Sequence, residues 1–231
     1  MALKKIIKEN NILRDNLNNK LENSGWDRML SPYVNGLSFD YIMEKLRDNV
    51  EQGRRFTPRF KDVFNGFYEC PYDDLKVVIV GQDPYPQLGV ADGIAFSCSR
   101  KGKAEKSLQY ILKALEDRDG DVDLRRWSNQ GVLLINTAFT CEINKIGSHY
   151  GIWKSFTEYL FENLNRHKTG TIFILMGRKA EQWQVLLPSQ IIYKVAHPAS
   201  AAYRGGRWEH LGVFNKVNDM LKKQKKTPID W

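Results

Sequence analysis

Residues 77–86, Val77-Val-Ile-Val-Gly-Gln-Asp-Pro-Tyr-Pro86, decide the fold class of this chain. A short apolar run is followed at once by a glycine and by a loop whose two prolines fix the backbone φ angle. The run does not alternate apolar with polar residues, which is typical of a strand covered on both faces. Further runs of this kind follow along the chain, at Val132–Ile135, Thr171–Leu175 and Ile191–Val195.

Amphipathic stretches with helical spacing separate the apolar runs. The first is predicted to begin with Ser107 as its N-cap. The apolar positions of these stretches are Leu108, Ile111, Leu112 and Leu115, then Trp153, Phe156, Tyr159, Leu160 and Leu164, then Ala180–Leu187, and last Leu211, Phe214, Val217 and Leu221. Strands separated by helices predict right-handed crossovers and a parallel sheet. We therefore expect an α/β fold, a single domain over residues 1–231 with a central four-stranded parallel sheet flanked by helices on both faces.

Residues 1–54 are predicted to form a helical segment packed on that domain. An apolar face marks a first helix, which Gly25 can end. The members of this face are Leu3, Ile6, Ile7, Leu13, Leu17 and Leu21. A second helix is expected to begin after Ser38 and to end at Gly53. Its first turn holds Asp40, and its apolar stripe is Phe39, Ile42, Met43, Leu46 and Val50.

The composition is that of a globular protein with a basic surface. The 231 residues are 42% hydrophobic and 27% charged, values far from those of a disordered chain. Lys and Arg number 35 against 27 Asp and Glu, and the resulting net charge of +8 suits an anionic partner. No apolar run approaches the roughly 18 to 20 residues that cross a bilayer. The 3 cysteines form no CxxC pair, which argues against a disulfide framework, a zinc ribbon or a cysteine-held iron–sulfur cluster. We therefore expect an intracellular, cytoplasmic protein with no membrane contact, metal or other cofactor.

Polar side chains follow the predicted strands at Asp83, Asn136 and His197. Because ligands bind outside the carboxyl ends of parallel strands, we expect these side chains to converge. Each also has a plain interpretation: Asp83 and Asn136 as caps of turns, and His197 as a structural histidine. Their joint placement at one edge of the sheet favours a functional site.

The segments around these residues resemble the signature motifs of family 1 uracil-DNA glycosylases. The matching segments are residues 77–86, Gly93-Ile-Ala-Phe-Ser97, Gly131-Val-Leu-Leu-Ile-Asn-Thr137 and Ala196-His-Pro-Ala-Ser200, with Lys61-Asp-Val-Phe-Asn65 upstream and Thr227-Pro-Ile-Asp-Trp231 at the end. The likeness covers residues 55–231, and several motifs in order are far more specific than one short pattern. It implies a metal-independent enzyme that hydrolyses the bond between uracil and deoxyribose in DNA, as in base excision repair, releasing uracil and leaving an abasic site.

The resemblance implies two catalytic residues. Asp83 matches the carboxylate that activates the attacking water and favours the cationic sugar. His197 matches the histidine that, while neutral, donates a hydrogen bond to the uracil anion as it leaves.

The resemblance also implies the residues that bind uracil. Asn136 matches the amide that reads the edge of the base, and Tyr85 matches the ring that excludes the methyl group of thymine. Phe96 matches the platform on which the base stacks, although by itself it reads as an ordinary core residue. Gln82 is expected to line the pocket.

A base inside a duplex cannot be reached, so the resemblance implies that the base is flipped out while the protein holds the flanking phosphates. Ser107 is a phosphate candidate at a helix N-terminus, and it reads equally as a plain N-cap. The other phosphate or wedge candidates are Ser148, His149, Ser200, Tyr203 and Arg204. The basic run at 222–226 reads as a solvated surface.

The chain departs from the family pattern at two places. Pro86 stands where many relatives have histidine, which stiffens the loop and removes a polar contact near the sugar. The loop after His197 lacks the leucine that usually enters the duplex as the base leaves. We hypothesise that Tyr203 or Arg204 fills the gap, or that the enzyme prefers single strands.

Two other classes of protein remain as alternatives. A DNA-binding scaffold on the same fold fits the basic surface, but it has no need of Asp83, Asn136 and His197. A metal-dependent phosphohydrolase using Asp83 and His197 is disfavoured, because the chain has only 4 histidines and no carboxylate cluster near these motifs. The expected partners are uracil-containing DNA, single- or double-stranded, and a DNA-mimicking inhibitor protein. The expected oligomeric state is a monomer.

Overall fold

Helices precede, separate and follow the strands of the chain. A computed structural model describes residues 14–116, 120–203 and 205–231. In chain order the elements are α1 (residues 14–23), α2 (Asp27–Val34), α3 (Leu37–Glu51), β1 (Phe56–Thr57), α4 (Asn65–Glu69), β2 (Val77–Gly81), α5 (Lys106–Ala114), α6 (Arg125–Ser128), β3 (Val132–Asn136), β4 (Cys141–Glu142), α7 (Tyr150–His167), β5 (Ile172–Met176), α8 (Arg178–Glu181), β6 (Ile191–Val195) and α9 (Val213–Lys223), with 3-10 turns at Phe60–Asp62, Gln182–Leu186 and Pro198–Tyr203. The predicted helix positions Leu3, Ile6, Ile7 and Leu13, and the wedge candidate Arg204, lie outside the described residues.

The central sheet has four parallel strands in the order β3-β2-β5-β6, which confirms the predicted sheet. In the middle of the sheet, Val77 of β2 is in register with Val132 of β3 on one side and with Ile172 of β5 on the other. β2 and β5 are buried along their whole length, whereas β6 is half-exposed over most of its residues. The expectation of strands covered on both faces therefore holds for β2 and β5 and for all but the last residue of the edge strand β3, but not for β6 at the other edge.

Helices pack on both faces of the sheet, because successive side chains of a strand point to opposite sides. Val78 and Val80 belong to an apolar cluster with residues of α1, α2, α3 and α7, including Leu21 of α1. Val77 and Ile79 belong to a second cluster with residues of α5, α6 and α9. The α/β fold with helices on both faces is confirmed, and the N-terminal helices share the first of its two cores.

The second predicted helix is displaced from its predicted start. α3 begins at Leu37, one residue before Ser38, and Gly36 occupies its N-cap position. Val50, a member of the predicted apolar stripe, is 53% exposed. The buried residue in this turn is instead the polar Asn49. A polar partner inside the protein, described below, accounts for that burial.

Three further helix predictions need correction. Glu105, not Ser107, is the N-cap of α5, so Ser107 lies in the first turn of the helix. The predicted helical stretch Ala180–Leu187 is divided between the end of the short helix α8 and a 3-10 turn. Leu211 precedes α9 and is exposed, because α9 begins only at Val213.

Several elements have no counterpart in the sequence prediction. Three are short helices, namely α2, which contains Pro32, α4 and α6. Another is a two-stranded antiparallel ribbon of β1 and β4, in which Phe56 is in register with Glu142. This ribbon joins the N-terminal part of the chain to the turn that precedes α7, and that turn contributes to the site.

Candidate active site

The carboxyl ends of the central strands open into a cavity of about 240 Å³, here named the strand-end cavity. Its lining brings together Asp83 after β2, Asn136 at the end of β3 and His197 after β6. The other lining residues are Gln82, Pro84, Tyr85, Pro86, Phe96, Ser107, Ile146 and Ala199. All of the residues that the resemblance assigns to uracil binding therefore surround one space.

Asn136 reaches the strand-end cavity because its neighbour is a glycine. Gly81, at the end of β2, is in register with Asn136 at the end of β3. A Cβ atom at position 81 would lie 2.3 Å from Oδ1 of Asn136 and 3.0 Å from Cζ of Phe96. Any side chain at position 81 would therefore displace the amide and crowd the aromatic ring.

The turn that precedes α7 holds Asp83. The Oδ2 atom of Asp83 accepts a hydrogen bond of 2.6 Å from the backbone N–H of Gly147. Burial raises the pKa of Asp83, and hydrogen bonds from Gly147 and from the Gln82 side chain oppose that rise. A buried carboxylate with a raised pKa is a better proton acceptor than an exposed one.

The loop after β2 is fastened to the segment that follows β3. The Thr137 hydroxyl donates a 2.8 Å hydrogen bond to the backbone oxygen of Gln82, and the N–H of Ala138 donates to the same oxygen at 3.2 Å. Further along, the N–H of Asn144 donates to the backbone oxygen of Pro86 at 3.0 Å. These bonds, together with the prolines, fix the loop on which Asp83 lies.

Phe96 lies in the strand-end cavity with a strained backbone. Its φ angle is +67°, in the left-handed region that costs a residue with a side chain on the order of 1–3 kcal/mol. The Tyr85 hydroxyl donates a 3.2 Å hydrogen bond to the backbone oxygen of Phe96. Burial raises the pKa of Tyr85 well above its usual value, so the phenol remains a donor. The two aromatic residues are therefore positioned as a pair.

His197 carries its proton on a defined ring nitrogen. The backbone N–H of Ala199 donates a 3.2 Å hydrogen bond to Nδ1 of His197, so in the neutral ring the proton lies on Nε2. Burial lowers the pKa of His197, which keeps the ring neutral near pH 7. Its ring centroid lies 5.9 Å from that of Phe96. The imidazole can therefore act as a neutral hydrogen-bond donor beside the aromatic platform.

An open cleft of about 1040 Å³ adjoins the strand-end cavity and shares Gln82 and His197 with it. The phosphate candidate Ser200 lines this cleft together with Arg178 and Lys179. The other proposed phosphate contacts are dispersed: Ser107 lines the cavity, and Ser148 lies in the turn before α7, where its hydroxyl oxygen accepts a 2.7 Å hydrogen bond from the N–H of Glu142. Tyr203 is 92% exposed on the loop after His197.

His149 does not lie on a surface that a phosphate can reach. It is 1% exposed, with Nδ1 2.8 Å from Oγ1 of Thr140 and Nε2 2.9 Å from Nδ2 of Asn49. Burial lowers the pKa of His149 to about 4, so the ring is neutral near pH 7. Because both ring nitrogens are bonded inside the protein, the direct phosphate contact expected of His149 gives way to a structural role.

Several residues around the site were not predicted from the sequence, namely Ile146, Gly147, Arg178 and Lys179. Arg178 and Lys179 follow the end of β5, so the strand-end argument that identified Asp83 also applies to them. Ile146 and Gly147 carry no such signal, because the β1–β4 ribbon and the turn after it bring them to the site.

Within residues 14–116, 120–203 and 205–231, no three His, Cys, Asp or Glu residues are grouped as metal ligands would be. In the same ranges, no helix combines the length and the apolar character needed to span a membrane.

The chain matches known proteins over most of its length. The family model of the uracil DNA glycosylase superfamily matches residues 67–222. "Uracil-DNA glycosylase 1" of Listeria innocua is 36% identical over 215 residues, which are 89% of this chain and 96% of that protein. The crystal structure of mimivirus uracil-DNA glycosylase superposes with a TM-score of 0.80 at 27% identity, covering 89% of this chain and 85% of the other. A variant of the mimivirus UNG in complex with UGI has a TM-score of 0.79 at 28% identity, with coverage of 89% and 87%. This chain belongs to the uracil DNA glycosylase superfamily.

Proposed function

We propose that the protein is a uracil-DNA glycosylase, which hydrolyses the N-glycosidic bond of a deoxyuridine flipped out of DNA and leaves an abasic site. One observation carries the proposal: a half-buried carboxylate, a primary amide and a neutral imidazole surround the strand-end cavity together with an aromatic ring. Membership of the superfamily and the names of the relatives support the same activity. The finer steps below follow from the contacts of the residues in this chain.

Asp83 acts on the water and on the sugar. In the reaction the water oxygen bonds to the sugar carbon C1′, the bond from C1′ to N1 of uracil breaks, and its electron pair leaves with the base. Asp83 accepts the proton of the water, and its charge favours the cationic character of the sugar in the transition state. Because the nucleophile is water, no covalent intermediate forms with the protein. Because Asp83 accepts the proton of that water, the proposed reaction uses no metal ion.

His197 stabilises the leaving group. With Nδ1 occupied by the Ala199 amide, Nε2–H is the donor that the ring offers to O2 of the uracil anion. A neutral donor of lowered pKa stabilises negative charge without the desolvation cost of a buried imidazolium.

The remaining lining residues select the base. The Asn136 amide accepts a hydrogen bond from N3–H of uracil and donates one to O4, a pattern that cytosine reverses. Phe96 stacks on the ring, a contact of about 1–3 kcal/mol. Tyr85 fills the space where thymine carries its methyl group, and Gln82 lines the pocket.

DNA approaches along the open cleft beside the cavity. Ser200, Arg178 and Lys179 line this cleft and are our candidates to bind phosphates. Ser107, which lines the cavity, and Ser148, next to Gly147, are further candidates. A DNA-mimicking inhibitor protein would cover the same surface, and the mimivirus UNG bound to UGI supports this idea. We propose that the protein acts as a monomer inside the cell.

Tyr203 is our candidate for the wedge that replaces the base in the duplex. It is 92% exposed, and the loop offers no leucine. We expect Tyr203→Ala to lower single-turnover uracil release from duplex DNA by about 10-fold, equivalent to a stacking loss of about 1.4 kcal/mol, and to leave single-stranded DNA unaffected. Equal rates for the wild type and for Tyr203→Ala and Arg204→Ala on duplex DNA would exclude a wedge on this loop.

Uracil release is the decisive test. The protein is incubated with a uracil-containing oligonucleotide in EDTA, and alkali then cleaves the strand at abasic sites. We expect breakage only at uracil. Bound but uncut DNA would identify a DNA-binding scaffold, and activity that EDTA abolishes would identify a metal-dependent hydrolase.

A further inference from the structure

Asp92 is a buried carboxylate outside the strand-end cavity, and it is 1% exposed. Its Oδ1 accepts a 3.0 Å hydrogen bond from the N–H of Ile94. Its Oδ2 accepts hydrogen bonds from the hydroxyls of Ser97, at 2.6 Å, and Ser99, at 2.5 Å. The Nη1 atom of Arg125 lies 3.9 Å from the same oxygen. One carboxylate thus binds three points of a short segment and lies close to a cation.

These contacts lie on both sides of Phe96. Ile94 precedes Phe96 by two residues and Ser97 follows it directly. Phe96 has the left-handed φ of +67°, which a bulky residue retains only where its surroundings leave no alternative. The N–H of Ala95 adds a 3.2 Å hydrogen bond to the backbone oxygen of Leu134 in β3. The carboxylate and the sheet therefore fasten the segment before Phe96, and the carboxylate also fastens the residue after it.

The same segment positions Tyr85, because the Tyr85 hydroxyl donates to the backbone oxygen of Phe96. A relaxation of the Phe96 backbone toward an ordinary φ would turn that oxygen away from Tyr85 and tilt the aromatic ring. Both the stacking surface and the residue expected to exclude thymine would then move together.

We infer that Asp92 is a positioning residue for base recognition: it holds Phe96 in its strained conformation and, through Phe96, holds Tyr85. This inference rests on the function proposed above. Asp92 does not line the cavity and touches no substrate. Its effect reaches the base only through the segment that it binds.

Variants at position 92 test the inference through inhibition by free uracil and free thymine, measured beside uracil release and thermal unfolding. Asp92→Ala removes all three hydrogen bonds. We expect it to weaken uracil inhibition about 10- to 100-fold, the scale of a lost base stack, and to narrow the preference for uracil over thymine. Asp92→Asn keeps an oxygen for Ile94 and can donate to the serine oxygens, so we expect it to restore most of the uracil inhibition.

Asp62 provides the matched control. It is also a buried carboxylate, and its Oδ2 is bound by Arg59 at 2.8 Å and by Arg100 at 2.7 Å, with no hydrogen bond to residues 94–97 among the described contacts. We expect Asp62→Asn to lower thermal stability and to leave the ratio of uracil to thymine inhibition unchanged.

A pair of serine variants tests the inference without changing Asp92. The hydroxyls of Ser97 and Ser99 both bind Oδ2 of Asp92. Ser97 directly follows Phe96, whereas Ser99 lies three residues after Phe96. We expect Ser97→Ala to weaken uracil inhibition more than Ser99→Ala. Equal effects of the two serine variants, or a folded Asp92→Ala protein with wild-type uracil inhibition, would overturn the inference. A wild-type protein that releases no uracil would instead overturn the proposed function.

Discussion

The end of β6 and the start of α7 each carry a histidine whose pKa burial lowers, yet the two imidazole rings differ in what they can do. At the end of β6, His197 lines the strand-end cavity, and a backbone amide binds its Nδ1. At the start of α7, His149 is bonded through Nδ1 to Thr140 and through Nε2 to Asn49. Burial and a shifted pKa therefore do not by themselves distinguish a site residue from a structural one. What distinguishes His197 is a ring nitrogen that remains available in a cavity.

The largest effect should come from the cavity side of this comparison. We expect Asp83→Asn and His197→Ala each to lower the single-turnover rate of uracil release by about 10²–10⁴-fold, because one removes the proton acceptor and the other the donor to the leaving base. The affinity for uracil-containing DNA should change far less. Rates within 10-fold of wild type, measured on the same oligonucleotide, would show that Asp83 and His197 take no part in the chemical step.

His149, in contrast, should contribute to the free energy of unfolding. His149→Ala removes one hydrogen bond from Thr140 and one from Asn49 and opens a cavity, so we expect a loss of about 2–4 kcal/mol in the free energy of unfolding. Chemical denaturation of His149→Ala and of His197→Ala measures the loss of stability that each variant causes. A folded His149→Ala protein should release uracil at the wild-type single-turnover rate. A loss as large as that of His197→Ala would contradict the contrast between the two regions.

Protonation of His149 should also make the stability depend on pH. The pKa of His149 is lowered to about 4 in the folded protein, so its contribution to stability is complete above pH 6.5 and is lost as the pH falls toward 4. The loss by pH 4 should be roughly 2–3 kcal/mol. His197, whose pKa is also lowered, acts in the same direction. Denaturant titrations from pH 7 to pH 4 should show a smaller decline in a folded His149→Ala protein than in the wild type. An unchanged decline would assign the acid sensitivity to other groups.

The smallest effect on activity should come from a substitution next to the cavity, at Gly81. Gly81→Ala places a methyl group 2.3 Å from the Asn136 amide oxygen, so we expect about a 10-fold loss in kcat/KM as the amide shifts. Gly53→Ala is the control, since a Cβ there meets no atom within 4 Å, although its φ of +75° also strains an added side chain. If the two variants lose the same activity, the effect belongs to general strain and not to the cavity.

The sheet and its strand-end residues could be predicted from the sequence because each depends on short-range pattern. Apolar runs such as Val77–Val80 indicate buried strands, and parallel strands place the residues after them at one edge. The resemblance to a known family then assigned Phe96 to the same site as Asp83 and His197. Phe96 has no such signal of its own, because an aromatic residue between apolar neighbours is typical of a core.

Contacts between distant segments could not be predicted. The ribbon of β1 and β4 has strands of two residues, which are too short for an alternating pattern. Asn49, and not Val50, is the buried residue of its turn because it bonds to His149. The two residues are 100 positions apart, so no local pattern indicates the bond. The same long-range bond explains why His149, next to Ser148 in a plausible phosphate loop, turned out to be structural.

The small ribbon of β1 and β4 has a consequence for the amino-terminal third of the chain. Beside it, the N–H of Ile143 bonds to the oxygen of Arg55 at 2.9 Å, and a few residues later Gly147 binds Asp83. The Asp83 carboxylate is thus positioned by a backbone segment that is bonded to the residues following α3. We expect that a protein without its amino-terminal helices would hold this carboxylate, which we propose as the proton acceptor, less firmly.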